Sequence, residues 1–142
     1  MITNSLCSNV TVRDSTFSTN TALSGCVFLL NSTGTIENIE FNGNNAVQGS
    51  AIFGAGLNVT VTNVSFVDNS AMAQGGSVMI SQGNADINDC NFEGNKAPQG
   101  AAIVLRDAYN INIRNTVGVR NNSTNGSFIN ADGDNLALRL TS

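Results

Sequence analysis

The stretch Phe41-Asn-Gly-Asn-Asn-Ala-Val-Gln-Gly49 decides the fold, because versions of it return about every 25 residues. FSTN from Phe17 leads to Gly25, FNGN from Phe41 to Gly49, FVDN from Phe66 to Gly75, and FEGN from Phe92 to Gly100. A fifth copy, GVRN from Gly118, has no Phe and leads to Gly126. The Asn of each copy is the ruler: Asn20, Asn44, Asn69, Asn95 and Asn121 step by 24, 25, 26 and 26. A period of this size marks units stacked on one another.

Working outward from the repeat, the copies fall into columns. Five residues before the Phe position stand Val12, Ile36, Val61, Ile87 and Ile113, and two before those stand Val10, Gly34, Val59, Ala85 and Ile111. Between them lie Thr11, Thr35, Thr60, Asp86 and Asn112. Alternation of β-branched and polar residues over so short a run describes a half-buried strand. Ser15, Ile39, Val64, Cys90 and Thr116 continue the inward set, and Ala22, Ala46, Ala71, Ala97 and Ser123 mark a corner with little room. After each Gly a second apolar run begins, and Asn and Gly clusters such as Asn31-Ser-Thr-Gly34 bound it. Each copy therefore holds about three short strands, which cannot bury a face alone and must lie on the next coil.

In a parallel stack equal residues sit about 4.8 Å apart. Phe17, Phe41, Phe66 and Phe92 then stack their rings, and the Asn column bonds its own backbone or the amide of the coil above. Gly25, Gly49, Gly75, Gly100 and Gly126 supply backbone freedom at a turn.

Composition agrees with a β-rich, turn-rich chain. The 142 residues include 14 Gly, 1 Pro and no Trp, and 41% are hydrophobic, too many for disorder. A net charge of −4 without a basic cluster disfavours nucleic acid. No apolar run approaches the roughly 20 residues that span a bilayer, and the first residues lack the regions of a signal peptide. The expected setting is a mature form, a piece of a longer protein, or a soluble intracellular protein. The three cysteines, Cys7, Cys26 and Cys90, fit neither a disulfide framework nor a zinc site. Cys90 reads as a small buried hydrophobe, and a Cys7–Cys26 bridge is an open alternative.

FSTN, FNGN, FVDN and FEGN, with GSAI from Gly49 and GAAI from Gly100, resemble the FxxN and GGA[ILV] repeats of the polymorphic outer-membrane proteins of the chlamydial type. The resemblance spans about residues 10–130. It implies a right-handed parallel β-helix displayed at a surface, with adhesive or interaction roles. The fold expected is thus all-β, a single domain over residues 1–142 of about five and a half coils. That domain is read as a segment of a longer solenoid or a unit that assembles end to end.

Candidate chemistry is sparse. Asp86, Asp89 and Glu93, with Asp68 one coil earlier, are the nearest thing to the paired carboxylates of glycoside hydrolysis. Asp89, however, shares a ladder column with Asn38, Asn63 and Asn115, and Glu93 and Asp68 fall in turns. The cations Arg13, Lys96, Arg106, Arg114, Arg120 and Arg139 form no clear partnership with carboxylates, and without His the nucleophile-and-His route is closed. Asp132-Gly-Asp134-Asn135 has oxygen ligands but reads as a turn, and Asp86 and Asn112 interrupt the Thr11, Thr35, Thr60 file that an ice-binding solenoid would need. Sequons begin at Asn9, Asn31, Asn58, Asn63, Asn121, Asn122 and Asn125. With Phe28, Ile52, Val78, Ile103 and Ile129 inward, the residues Val27, Leu29, Phe53, Met79 and Val104 form a candidate outward contact stripe.

The function expected is a non-enzymatic extracellular structural or adhesive module, with no cofactor and no bound metal, contacting protein or glycan at a cell surface or copies of itself. The alternatives are a carbohydrate-binding or polysaccharide-cleaving β-helix, which the single Tyr109 and the lack of Trp disfavour, and a filament subunit stacking through open terminal coils.

Overall fold

The computed structural model describes residues 2–5 as backbone, and residues 9–126, 128–134 and 136–142 in full. In chain order the strands are β1 (Ile2–Ser5), β2 (Val10–Ser18), β3 (Val27–Leu30), β4 (Thr33–Asn42), β5 (Asn45–Gln48), β6 (Ile52–Ala55), β7 (Asn58–Val67) and β8 (Ser70–Gln74). Then come β9 (Val78–Ser81), β10 (Asn84–Asn88), β11 (Asn91–Glu93), β12 (Ile103–Arg106), β13 (Asn110–Arg114), β14 (Val117–Val119), β15 (Ile129–Asp132) and β16 (Ala137–Thr141).

Every strand pairing is parallel and joins one coil to the next, so the chain winds as a solenoid with three walls. The first wall is β2, β4, β7, then β10 with β11, β13 with β14, and β16. The second is β5 and β8, extended by single bridges such as Thr21↔Asn45 and Ser70↔Lys96. The third is β1, β3, β6, β9, β12 and β15.

Twenty described residues have left-handed backbone, and they form four files of five, one file per corner. Asp14, Asn38, Asn63, Asp89 and Asn115 bend the first wall at its middle. Thr19, Gly43, Asp68, Gly94 and Arg120 end it; Gly25, Gly49, Gly75, Gly100 and Gly126 end the second wall; Asn31, Gly56, Gln82, Asp107 and Gly133 end the third. Only one file is entirely Gly. A Cβ at Gly49 would lie 2.5 Å from the Ile52 carbonyl oxygen and one at Gly100 2.6 Å from that of Ile103, so there the backbone itself excludes a side chain. At the other corners side chains fit, and Asn, Asp, Gln, Thr and even Arg accept the strain of roughly 1–2 kcal/mol.

The core fills from all three walls. Phe17, Phe41, Phe66 and Phe92 stack with ring centroids 5.0, 5.4 and 4.4 Å apart and planes within 17° of parallel. Burying each ring is worth roughly 1.5–3 kcal/mol, and the stacking distance is the coil spacing itself. Ile36, Val61, Ile87 and Ile113 form a second buried file, and Ile39, Val64 and Cys90 a third. Where a column lacks a side chain, a neighbour fills the gap. Leu57 occupies the space beside Gly54, Leu29 that beside Gly34, and the Phe128 ring that beside Gly118, where a Cβ would come within 2.6 Å of it. Phe128 meets Phe92 edge-on, centroids 5.8 Å apart at 69°, so the aromatic file runs on into the fifth coil from another wall.

Inside the corner after the first wall runs an amide ladder. The Oδ1 of Asn69 accepts from the backbone N–H and Nδ2 of Asn44 at 3.1 and 3.0 Å, and its Nδ2 donates to Phe41 O and Asn95 Oδ1 at 2.9 and 3.1 Å. Asn44 and Asn95 repeat the pattern, Asn20 donates to Asn44, and Asn121 accepts from Asn95. Asn44, Asn69 and Asn95 are fully buried with both donors and both acceptor positions used.

Candidate functional site

A groove of about 640 Å³ runs on the outer side of the first wall, along its bend. It exists because each coil turns at a left-handed Asx residue there, which sets the half-strand after the bend at an angle to the half before it. The file Asp14, Asn38, Asn63, Asp89, Asn115 lines one side; Thr16, Glu40, Ser65 and Asn91 line the other. Ile39, Val64 and Cys90 form the floor.

Most polar groups along this wall are bonded to the next coil. Asn38 donates to Asp14 and Asn63 to Asn38, at 3.0 and 2.9 Å, and Asn115 donates to Asp89 at 3.1 Å. Farther along the outer face Asn112 donates to Asp86 at 2.8 Å, and Asn84 and Asn110 donate down the Asn58, Asn84, Asn110 file. These outer amides point toward the N-terminal coils, whereas the inner ladder points toward the C-terminal ones.

Three of the six cations have carboxylate partners, contrary to the sequence expectation. Arg13 lies 3.9 Å from Glu37, Arg114 lies 3.9 Å from Asp86, and Arg120 pairs with Glu93. Each pair joins consecutive coils, a relation that sequence spacing of 24 to 28 residues conceals. Of the four candidate acids, Asp86, Asp89 and Glu93 are thus rungs, and Asp68 sits in an exposed left-handed corner. Asp132 and Asp134 lie in the last corner region, and Asn135 falls outside the described residues. Among the described residues no three His, Cys, Asp or Glu side chains come together as metal ligands. Asp14 and Glu40, which line the groove, carried no sequence signal except that Asp14 occupies the column of Asn38.

The contact stripe requires correction. Val27 and Leu29 point inward and are fully buried, because β3 pairs Val27 with Ile52 and Phe28 with Phe53. Phe28 therefore faces outward, stacked on Phe53 at 5.3 Å. Phe53, Met79 and Val104 are in the outward file, but Met79 and Val104 are covered. The all-Gly corner folds against them: Cβ atoms at Gly75 and Gly100 would touch Met79 and Val104 at 3.0 and 2.4 Å. Arg106 also reaches back to Gln74 and Gln99 at 2.6 and 3.1 Å. The apolar residues that do protrude include Leu23 and Met72, 80% and 67% exposed, on the second wall.

Of the sequons, Asn9, Asn31, Asn58, Asn63, Asn122 and Asn125 are exposed. Asn121 is not a free acceptor, since its Nδ2, the atom a glycan would occupy, donates to Phe92 O at 2.8 Å. Cys26 and Cys90 are buried thiols. Burial pushes both thiols up, that of Cys90 to about 11. Cys7, and with it a bridge to Cys26, lies outside the described residues.

The geometry defines a class of protein: a three-walled parallel β-solenoid whose polar residues bond coil to coil. The chain belongs to the right-handed β-helix family, whose model, described as a right handed beta helix region, matches residues 1–139. Comparison with curated proteins and with solved structures gave no match.

Proposed function

We propose that this protein is a non-enzymatic, extracellular structural or adhesive module, a rigid rod that presents its outer walls to a partner at a cell surface. The observation that carries this reading is the use of the carboxylates. Asp14, Asp86, Asp89 and Glu93 each hold an amide or guanidinium of the following coil, so they serve the stack. A general acid or nucleophile needs its proton or lone pair free for substrate. The FxxN repeats add support through their likeness to the polymorphic outer-membrane proteins, and the protruding Leu23 and Met72 offer apolar contact area. The test is a panel of acidic and neutral polysaccharides assayed for cleavage, alongside binding of the labelled chain to intact cells. Turnover on any polymer that Asp89→Asn abolishes would overturn the proposal; cell binding that Leu23→Ser with Met72→Ser weakens would support it.

The groove favours one second reading, binding of an extended polyhydroxylated chain without cleavage. Glycan-array binding lost on Asp14→Asn and Asp89→Asn, with an unchanged melting curve, would establish it, and a blank array would remove it.

A further inference from the structure

We propose that Asn58 is a site of N-linked glycosylation that the closed solenoid can carry, whereas a glycan on Asn121 is incompatible with the inner amide ladder. The inference rests on the extracellular reading above. The sequon Asn58-Val-Thr60 opens β7, with Asn58 exposed, Val59 buried and Thr60 half-buried. Alternation along the strand puts the acceptor amide and the sequon hydroxyl on one outer face, while Val59 anchors the segment in the core. Both outer side chains line an open concavity of about 330 Å³, together with Thr33, Asn84 and Asp86. Those hydroxyl, amide and carboxylate groups suit a first sugar ring, whose own hydroxyls both donate and accept hydrogen bonds.

Asn58 takes part in its file through Oδ1, which accepts from Asn84 Nδ2 at 2.5 Å. Glycosylation consumes a different atom. Nδ2 attacks the anomeric carbon of a sugar carried on a lipid pyrophosphate, and the bond from that carbon to the pyrophosphate oxygen breaks. The lipid pyrophosphate leaves with the bonding electrons, and one Nδ2 proton passes to a base of the transferase. The product is still an amide, so Oδ1 keeps its lone pairs for Asn84 and the rung survives. Asn121 is the opposite case. Its Oδ1 accepts from the N–H and Nδ2 of Asn95 at 3.1 and 2.9 Å, and its Nδ2 donates to Phe92 O at 2.8 Å. With both ends of the amide engaged inside the corner, a sugar on Nδ2 would push the side chain out and open the ladder.

The 142-residue chain is expressed behind an added signal peptide in eukaryotic secretory cells. The secreted product is mapped by mass spectrometry after amidase release in heavy-oxygen water, which turns each glycosylated Asn into a mass-tagged Asp. Occupancy at Asn58 is expected to be at least about tenfold that at Asn121, about the factor set by one buried hydrogen bond. Thr60→Val and Asn58→Gln should each remove the tag from that peptide alone, and the glycosylated chain should melt at the same temperature as Thr60→Val. Because the signal peptide is supplied, the result judges the site and not the localisation, which the cell-binding assay addresses. An unmodified Asn58, equal occupancy at Asn58 and Asn121, or a glycosylated chain that melts well below Thr60→Val would overturn the inference.

Discussion

Replacing Asn69 tests whether the inner ladder holds the coils together. Asn69 is fully buried and makes four side-chain hydrogen bonds. In Asn69→Ala the Asn44 N–H and one hydrogen of Asn44 Nδ2 lose their partners, whereas the Phe41 carbonyl keeps its place in the β4–β7 ladder and Asn95 Oδ1 keeps the bond from the backbone N–H of residue 69. Two buried orphan donors at roughly 1–3 kcal/mol each predict a loss of about 2–5 kcal/mol, a large share of a typical total of roughly 5–15 kcal/mol. Asn69→Asp is more discriminating. A carboxylate there keeps the acceptor but faces Phe41 O and Asn95 Oδ1, both acceptors themselves, with no water to solvate its charge. Its pKa in the folded chain must rise, so the folded state binds the proton more tightly than the unfolded state. Stability then falls as pH climbs from about 4 toward 7. Urea unfolding followed by circular dichroism should show the Asp variant closer to wild type at pH 4 than at pH 7. Asn84→Ala, which removes a partly exposed rung, should cost under about 1 kcal/mol at either pH. If Asn69→Ala matches Asn84→Ala, or if the Asp variant's deficit does not change with pH, the ladder is not what secures the corner.

Phe128→Ala should cost about 2–4 kcal/mol in urea unfolding, and adding Gly118→Phe should recover part of it by returning the ring to its own column. Gly43→Asn should leave the melting temperature nearly unchanged, since the nearest atom to a Cβ there is 3.6 Å away, whereas Gly49→Ala should lower it sharply because the Ile52 carbonyl is only 2.5 Å off. The Cys90 thiol, raised by burial and further by Asp89 from 9.0 to about 11, stays protonated longer in the folded chain. Its contribution is complete below pH 9 and lost as pH passes 11, so wild type should lose about 2–3 kcal/mol more than Cys90→Val over that interval.

How much of this was legible depends on whether identity or orientation had to be read. The Phe, Asn and Gly files could be found because one residue type recurs at one place in each coil, and stacking turns recurrence into contact. The third wall could not be oriented that way. Its two faces are both apolar, and the first coil places Val27 two residues after Gly25 where later coils place Ile52, Val78 and Ile103 three after theirs. Counting from the Gly therefore slips the register by one, and a one-residue slip exchanges the faces of a strand. The filling of the Gly118 gap by Phe128 was equally hidden, because the ring comes from a different wall. The groove went unseen because its residues look like ordinary turn chemistry until five coils bring them into line.

The opposed sense of the two amide systems has an electrical consequence. The carboxamide moments of the inner file add along the rod in one direction, and those of the outer files add in the other. Their sums partly cancel, so lengthening such a rod by further floors builds up less charge at its tips than the inner file alone would.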